Sequence, residues 1–300
     1  MKSSGASSDL LPSLGIVGAG VLWGLFWLPV RALGELGLQG AWPGVVIYAG
    51  AVLFLLPVLF INWKLVRSVW KPLALSGLFT GAAFACYATS LLFTEVIRTI
   101  LLFYLTPVWG TILGILFLKE KFTVTRAVAL VFGLGGLLVV FGLGVEFPWP
   151  RNLGDWLALI AGMCWALGTM FLYRMGTVAT LAQCLSFVAG ALVVTGVALL
   201  LGGDVFGARP SPAQMIGALP TGLLAALYVL PMLILTVWPA SRLSPARVGI
   251  LLMSEVIVGV GSAAFFSGEP FGLREFTGTC LIVGAGVIEV LGQRKNKSTA

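Results

Sequence analysis

The chain contains ten apolar segments, each about as long as a lipid bilayer is thick, with short connections between them. A spanning helix needs about 20 predominantly apolar residues, because the hydrocarbon core is about 30 Å thick and an α-helix rises about 1.5 Å per residue. Backbone polar groups find no water in that layer, so each segment must satisfy its own hydrogen bonds as a helix. The segments are 11–33, 42–61, 72–93, 97–118, 125–143, 153–173, 178–201, 212–237, 245–266 and 273–291. The sequence therefore predicts an all-α integral membrane protein with ten transmembrane helices.

The distribution of charge supports a membrane location and predicts an orientation. Charged residues make up 10% of the chain, whereas a soluble domain has about 25%. If the N-terminus is cytoplasmic, 13 of the 18 Lys and Arg residues lie in the inner loops and tails. This asymmetry follows the positive-inside rule and predicts that both termini are cytoplasmic. The net charge of +7 is then a matter of topology, and we expect no nucleic-acid partner.

Several kinds of chemistry lack their usual residues. The chain has no histidine, and its four cysteines lie singly within apolar segments, without C-x-x-C spacing. The commonest zinc ligand and the commonest general base are therefore both missing. The sequence also has no G-x-S-x-G motif and no ATP-binding loop. We expect no metal, no cofactor and no enzymatic activity, with any energy for transport coming from substrate or ion gradients.

The chain is an internal duplication. Ala19–Leu25 in the first segment overlays Ala161–Leu167 in the sixth at a constant offset of 142 residues. The fourth and ninth segments match at an offset of 149, which pairs Gly110 with Gly259, Gly114 with Ala263, Phe117 with Phe266, Glu120 with Glu269 and Phe122 with Phe271. We therefore divide the single membrane domain into two five-helix repeats, residues 1–147 and 148–300.

The number of helices in each repeat predicts how the repeats are oriented. Five is odd, so the second repeat enters the membrane from the opposite side, and the two are inverted repeats. In secondary transporters, inverted repeats place the substrate site near the bilayer midplane, and rocking of the halves gives alternating access.

The repeat-matched stretches also resemble a known family. Leu105–Thr123 and Met253–Gly272 resemble the helix-four signature of the drug/metabolite transporter superfamily, and the pairs Trp23-Gly24 and Trp165-Ala166 fit it as well. Within the superfamily the chain is similar to the ten-helix metabolite exporters, in particular the bacterial aromatic amino-acid exporters. The resemblance implies export of small metabolites, most simply amino acids, from the cytoplasm across the bacterial inner membrane.

Glu255 is the acidic residue that lies deepest in a predicted span. It falls about ten residues into the ninth segment, whereas most other acids lie near segment ends. An unpaired charge at that depth costs about 3 kcal/mol or more, so a retained one is a functional candidate. We predict that Glu255 binds a substrate amino group or carries a proton. The alternative is a neutral carboxyl group that serves as a hydrogen-bonded link between helices.

Aromatic residues predict a largely apolar substrate cavity. Trp23 and Trp27 share one face of the first segment, and Trp165 occupies the position that matches Trp23 in the sixth. Tryptophan and tyrosine combine a flat apolar body with a hydrogen-bond donor, which suits a cavity for mostly apolar molecules. The predicted substrate-binding residues are Trp23, Trp27, Tyr87, Tyr104, Trp165, Tyr228 and Glu255. The alternative is that these aromatics pack between helices or face lipid.

Small residues and one proline are predicted to govern helix packing. Gly110 and Gly114 are four residues apart, as are Gly259 and Ala263, and small residues at this spacing allow close helix contact. Pro107 removes a helix hydrogen bond and is a candidate hinge for a gate. The matched residue in the second repeat is Val256, so the two halves need not bend alike.

Three classes of function remain after these observations. A carrier for small molecules ranks first, and protons and membrane lipids are its further expected partners. A channel or lipid translocator shares the hydropathy and ranks second. An intramembrane enzyme ranks third, because the sequence shows no second catalytic group to pair with Glu255.

Overall fold

The computed structural model describes residues 10–106, 108–109, 112–113, 124–141, 150–174, 179–240, 242–243, 248 and 251–298. All regular secondary structure in these residues is helical. The α-helices are α1 (Leu10–Leu25), α2 (Trp27–Glu35), α3 (Trp42–Ile61), α4 (Trp63–Ser68), α5 (Trp70–Phe93), α6 (Val96–Phe103), α7 (Val124–Phe141), α8 (Leu153–Arg174), α9 (Thr180–Gly202), α10 (Pro212–Ala240), α11 (Ser254–Ser262) and α12 (Leu273–Ser298). A 3₁₀ turn (Gly203–Phe206) follows α9, and a π-helical turn (Ala263–Ser267) extends α11.

Six helical spans in the described residues are long and apolar enough to cross a bilayer. They are Leu10–Glu35, Trp42–Ile61, Trp70–Phe93, Leu153–Phe171, Thr180–Phe206 and Pro212–Pro239, and shorter apolar helices cover Ala127–Gly136 and Ser254–Ser267. The prediction of an all-helical membrane protein is confirmed. Much of the fourth predicted segment, including Pro107, Gly110 and Gly114, lies outside the described residues.

Many large apolar side chains lie on the outer surface of the bundle. Leu200 and Leu201 are both 85% exposed, and Phe60 is 73% exposed. In water such a surface would drive aggregation, but in a bilayer it faces lipid tails. The helices must therefore pack by close fit and by hydrogen bonds rather than by hiding an apolar face.

The main helix contacts are preserved when the two halves are exchanged. Helix α1 packs on α10 and α11, and its counterpart α8 packs on α5 and α6. Helix α5 packs on α9, as α10 packs on α3. The remaining pairs α3–α9, α6–α11 and α7–α12 join matched helices directly. This arrangement brings α1, α5, α6, α8, α9 and α11 together around one central region.

Candidate functional site

The first membrane span is broken at its centre. The Phe26 N–H bonds to Trp23 O, three residues back and 3.1 Å away, so Leu22 O loses its usual helical donor. The Tyr228 hydroxyl from α10 donates to that freed carbonyl. The break separates α1 from α2, where the sequence predicted one continuous helix. Pro29 follows within one turn and has no N–H to bond Leu25 O, so the helix is already weakened there.

The fourth and ninth spans are broken at repeat-matched positions. Helix α6 ends in a turn at Tyr104, and α11 begins after a turn at Met253, which is the residue 149 positions later. In the first repeat the Thr106 hydroxyl donates to Phe103 O at 2.7 Å. In the second, the Val256 N–H bonds to Met253 O at 3.1 Å. The breaks thus match although only one repeat has a proline nearby.

The Leu252 carbonyl is the group that the second break frees. It lies 149 residues after Phe103, so the two repeats free matched carbonyl groups. Leu252 O accepts a hydrogen bond from the Tyr104 hydroxyl at 2.9 Å. Unpaired backbone groups are costly inside a membrane, and here side-chain hydroxyl groups replace the missing helical donors.

Glu255 is buried beside the break in the ninth span. The residue is only 4% exposed. The Tyr87 hydroxyl from α5 lies 3.2 Å from Oε1, and the Tyr104 hydroxyl lies 2.9 Å from Oε2. Neither ion pair found among the described residues includes Glu255. The carboxyl group is therefore held by phenol groups rather than by a basic residue.

Six aromatic side chains surround this region in a closed series of contacts, which we call the aromatic cluster. The members are Trp23, Phe84, Tyr87, Phe103, Trp165 and Phe187. Successive ring centroids are 4.9 to 6.3 Å apart, within the range of favourable aromatic pairs. The cluster draws residues from both repeats, including the matched pair Trp23 and Trp165.

Hydrogen bonds from the indole groups fix two of the tryptophans. Trp23 Nε1 donates to the Thr236 hydroxyl at 3.0 Å, and that hydroxyl donates to Met232 O at 2.7 Å. Trp27 Nε1 donates to the Ser262 hydroxyl at 3.0 Å. Trp27 therefore lies one turn away from the aromatic cluster, against the π-helical end of α11.

Glycines bring the helix that carries Glu255 against the first span. A Cβ atom on Gly20 would lie 3.0 Å from Glu255 N, and one on Gly24 would lie 2.8 Å from Gly259 N. Gly259 also faces Ile100 of α6. The matched contact in the other half joins Gly162 to Phe103 O, at 2.6 Å from a Cβ atom placed on the glycine. Each broken helix is thus held by a glycine contact from the opposite repeat.

Two ion pairs join the repeats at one end of the bundle. Arg31 bonds to Glu269 at 2.8 Å, and Glu269 also accepts the N–H groups of Val96 and Ile97 at the start of α6. The second pair joins Arg98 to Asp155 at 2.5 Å, with side chains that are 7% and 0% exposed. These contacts close that end, because both pairs connect a residue of the first repeat to one of the second.

A small cavity lies on the seam between α5 and α9. Its walls include Cys86, Thr89 and Thr195, together with the turn residues Ala41 and Phe206. The Thr195 hydroxyl is buried and has no hydrogen-bond partner in the described structure. Other helical threonines such as Thr80 bond to a carbonyl four residues back.

Comparison with known proteins identifies the family. Two segments, residues 10–142 and 152–290, match the sequence model of the EamA-like transporter family. The chain belongs to the EamA-like transporter family. The two matched segments of this EamA-like transporter follow one another along the chain, as its sequence repeats do. The fold is that of a two-repeat membrane transporter.

Individual relatives agree with that assignment at the level of a transporter. "Uncharacterized transporter YoaV" of Bacillus subtilis (strain 168) is 28% identical over 53% of this chain and 56% of its own length. "Uncharacterized transporter in sor 3'region" of Acidianus ambivalens is 28% identical over 41% of the chain and 48% of its own length. The chain therefore aligns with about half the length of these relatives. A crystal structure of another protein shares the fold, with a TM-score of 0.59, 14% identity, and coverage of 96% of this chain and 98% of the other.

The structure brings together most of the residues that the sequence nominated for this transporter's site. Trp23, Tyr87 and Trp165 belong to the aromatic cluster, and Tyr104 packs on it through Phe103 at 5.6 Å between centroids. Tyr228 lies at the break of the first span instead. The role of each residue in substrate binding stays a prediction.

Sequence reasoning missed several groups that build the region. Phe84, Phe103 and Phe187 complete the aromatic cluster, but nothing distinguishes them among 19 phenylalanines. Thr106 did carry a signal, because it occupies the position that matches Glu255 at the 149-residue offset. The Leu252 carbonyl carried none, since every residue has a carbonyl group.

Proposed function

We propose that this EamA-like transporter exports small metabolites across the bacterial inner membrane, and that amino acids with aromatic or other apolar side chains are its first candidate substrates. One observation carries the proposal. Among the described residues, the buried carboxyl group of Glu255 has no basic partner, and it lies beside six clustered aromatic side chains.

The two parts of such a substrate match the two parts of the site. A substrate ammonium group would supply the positive charge that a buried glutamate needs, because an unpaired charge inside a membrane is costly. Aromatic faces bury an apolar side chain and also attract a nearby cation. If Glu255 instead carries protons, its burial separates the bound proton from bulk water during transport.

The broken helices support an alternating-access mechanism. Discontinuous helices near the midplane are typical of secondary transporters with inverted repeats. The ion pair of Arg31 with Glu269 closes one end, whereas the residues at the repeat-matched sequence positions, Tyr173 and Glu120, include no basic residue and cannot form the same ion pair. We propose that residues 1–147 and 148–300 rock against one another and that opening one end breaks the ion pairs.

The proposed orientation places both termini in the cytoplasm, since 13 of the 18 basic residues then lie on the inner side. The end closed by ion pairs would then be the outer end, and the structure would represent a state closed to the outside.

The proposal is tested by counterflow of L-phenylalanine and other amino acids into proteoliposomes that contain the purified protein. The wild type should show saturable counterflow. Glu255→Gln keeps the shape of the side chain but removes its charge, so counterflow should fall by about tenfold or more, since hydrogen bonds to charged groups contribute about 1.5–3 kcal/mol. Glu35→Gln makes the same change at an exposed residue and should leave counterflow unchanged.

Each rival has its own result in this assay. Uptake that does not saturate would indicate a channel, and movement of labelled lipid without amino-acid counterflow would indicate a lipid translocator. If Glu255→Gln reduces gradient-driven uptake alone, the glutamate carries protons rather than substrate. If counterflow and gradient-driven uptake by Glu255→Gln both stay near wild-type rates, Glu255 has only a structural role and the proposal is wrong.

A further inference from the structure

Two acceptor groups in the site share one donor. The Tyr104 hydroxyl lies 2.9 Å from Leu252 O and 2.9 Å from Glu255 Oε2. A phenol has one hydroxyl proton, so it can donate to only one of two acceptors at a time. A second donor, either a proton on the carboxyl group or a group brought by a ligand, completes the set.

We propose that Leu252 O and Glu255 Oε2 form the ammonium-binding subsite of the transporter, and that Tyr104 is an internal donor which a ligand must displace. This inference rests on the proposed function, because it names the chemical group that the same site recognises. It also reverses the expected role of Tyr104, which becomes a competitor of the substrate rather than one of its ligands.

The distances favour an ammonium group over a metal ion. N–H···O hydrogen bonds join atoms about 2.7–3.2 Å apart. The position of the Tyr104 oxygen satisfies that range to both acceptors at once. Metal ions such as Ca²⁺ bind oxygen at about 2.3–2.6 Å and take six or more ligands, which two acceptors do not provide. A primary ammonium group carries three N–H donors and can give one to each acceptor.

The two repeats treat their matched carbonyl groups differently. Phe103 O accepts a hydrogen bond from the Thr106 hydroxyl of the same segment, so the freed carbonyl of the first repeat has a local donor. Leu252 O has Glu255 at the position that matches Thr106, and a carboxylate is an acceptor rather than a donor. The second repeat therefore presents two acceptors side by side and depends on a donor from elsewhere.

The location of Tyr104 suits a group that moves. Tyr104 lies in the turn that ends α6, whereas Tyr87 lies within the long helix α5 and hydrogen-bonds to Glu255 through Oε1 alone. A side chain in a turn can move with fewer helix hydrogen bonds disrupted. Displacement of the Tyr104 hydroxyl would also link substrate binding to the broken region of the fourth span.

The test measures the affinity of purified full-length protein for 2-phenylethylammonium and for 2-phenylethanol by titration calorimetry. The two probes share one shape, but the alcohol offers one donor and no charge. Tyr104→Phe removes the competing hydroxyl, so the Kd for 2-phenylethylammonium should fall about fivefold, because a typical intramolecular hydrogen bond contributes about 1 kcal/mol net. The Kd for 2-phenylethanol should change much less.

Tyr48→Phe is the matched control. It also removes a buried hydroxyl that donates to a backbone carbonyl, Phe84 O, at 3.1 Å, but the Tyr48 hydroxyl makes no hydrogen bond to Glu255 in the described structure. It should leave the ratio of the two Kd values unchanged. Tyr104→Leu vacates the same position and must shift that ratio in the same direction as Tyr104→Phe, which provides a second variant if the first folds poorly.

The outcomes separate this inference from the proposed function. Weaker or unchanged binding of 2-phenylethylammonium to both Tyr104 variants would overturn the inference, even if the wild type shows amino-acid counterflow. Tighter binding with no amino-acid counterflow by the wild type would support the ammonium subsite and contradict the proposed substrates.

Discussion

Replacing Gly24 with alanine tests whether the contact between α1 and α11 holds Glu255 in position. The added Cβ atom would lie 2.8 Å from Gly259 N, 2.9 Å from Glu255 O and 3.0 Å from Val258 Cβ. Ordinary Cβ contacts begin at 3.4 Å, so the two helices must separate by about 0.6 Å, the difference between 3.4 and 2.8 Å. Two of the three contacted atoms belong to the backbone, and no side-chain rotation relieves the overlap.

The consequences for stability and for binding follow from that shift. Overpacking of a tight interior costs about 1–3 kcal/mol, and the gain in helix propensity from Gly to Ala offsets up to about 1 kcal/mol. We therefore expect a net loss of about 1 kcal/mol, and at most about 3 kcal/mol, in the free energy of unfolding. Both tyrosines lie on other helices, so a shift of α11 by about 0.6 Å lengthens their contacts with Glu255, now 2.9 and 3.2 Å, to at most about 3.5 and 3.8 Å, beyond the range of a good hydrogen bond. The KM for counterflow should rise by about tenfold.

The assay combines unfolding of the purified protein in detergent with counterflow in proteoliposomes. Gly196→Ala is the control, because nothing lies within 4 Å of a Cβ atom at that position in α9. It should raise the stability slightly and leave the KM unchanged. Wild-type stability and KM in Gly24→Ala would refute the reasoning, since the helices would then have room that the structure does not show.

Two further predictions concern buried polar groups. Asp155→Ala leaves the Arg98 guanidinium buried without its carboxylate and should cost about 3–5 kcal/mol of unfolding free energy, whereas Arg98→Leu combined with Asp155→Leu should cost much less; equal losses in thermal unfolding would contradict this. Thr236→Val removes the acceptor of the Trp23 indole and should cost about 1–3 kcal/mol of unfolding free energy. Thr195→Val removes a hydroxyl that has no partner among the described residues and should be neutral or stabilising. The reverse order of the two unfolding temperatures would show that an ordered water satisfies Thr195.

The sequence was sufficient for the membrane fold, because its main determinants are local. A bilayer demands long apolar helices, and segment length and composition are visible in the chain itself. The duplication is visible as well, since the 142- and 149-residue offsets need only the printed letters. Glu255 stood out for the same reason, because its depth follows from a count of residues along one helix.

Which residues meet was decided by the tertiary structure. Trp23 bonds to Thr236, 213 residues away, and Arg98 bonds to Asp155, 57 residues away. A soluble helix shows its buried face by an apolar stripe, but these helices are apolar all round, so their rotation about the axis leaves little trace in the sequence.

The breaks in the helices depend on tertiary contacts too. Only Pro107 suggested one in the fourth span, yet the ninth breaks at the matched position without a proline. A freed carbonyl inside a membrane is tolerated only when another group donates to it, and the Tyr104 hydroxyl reaches Leu252 O from a different helix. That donor is 148 residues away along the chain, so only the folded structure reveals it.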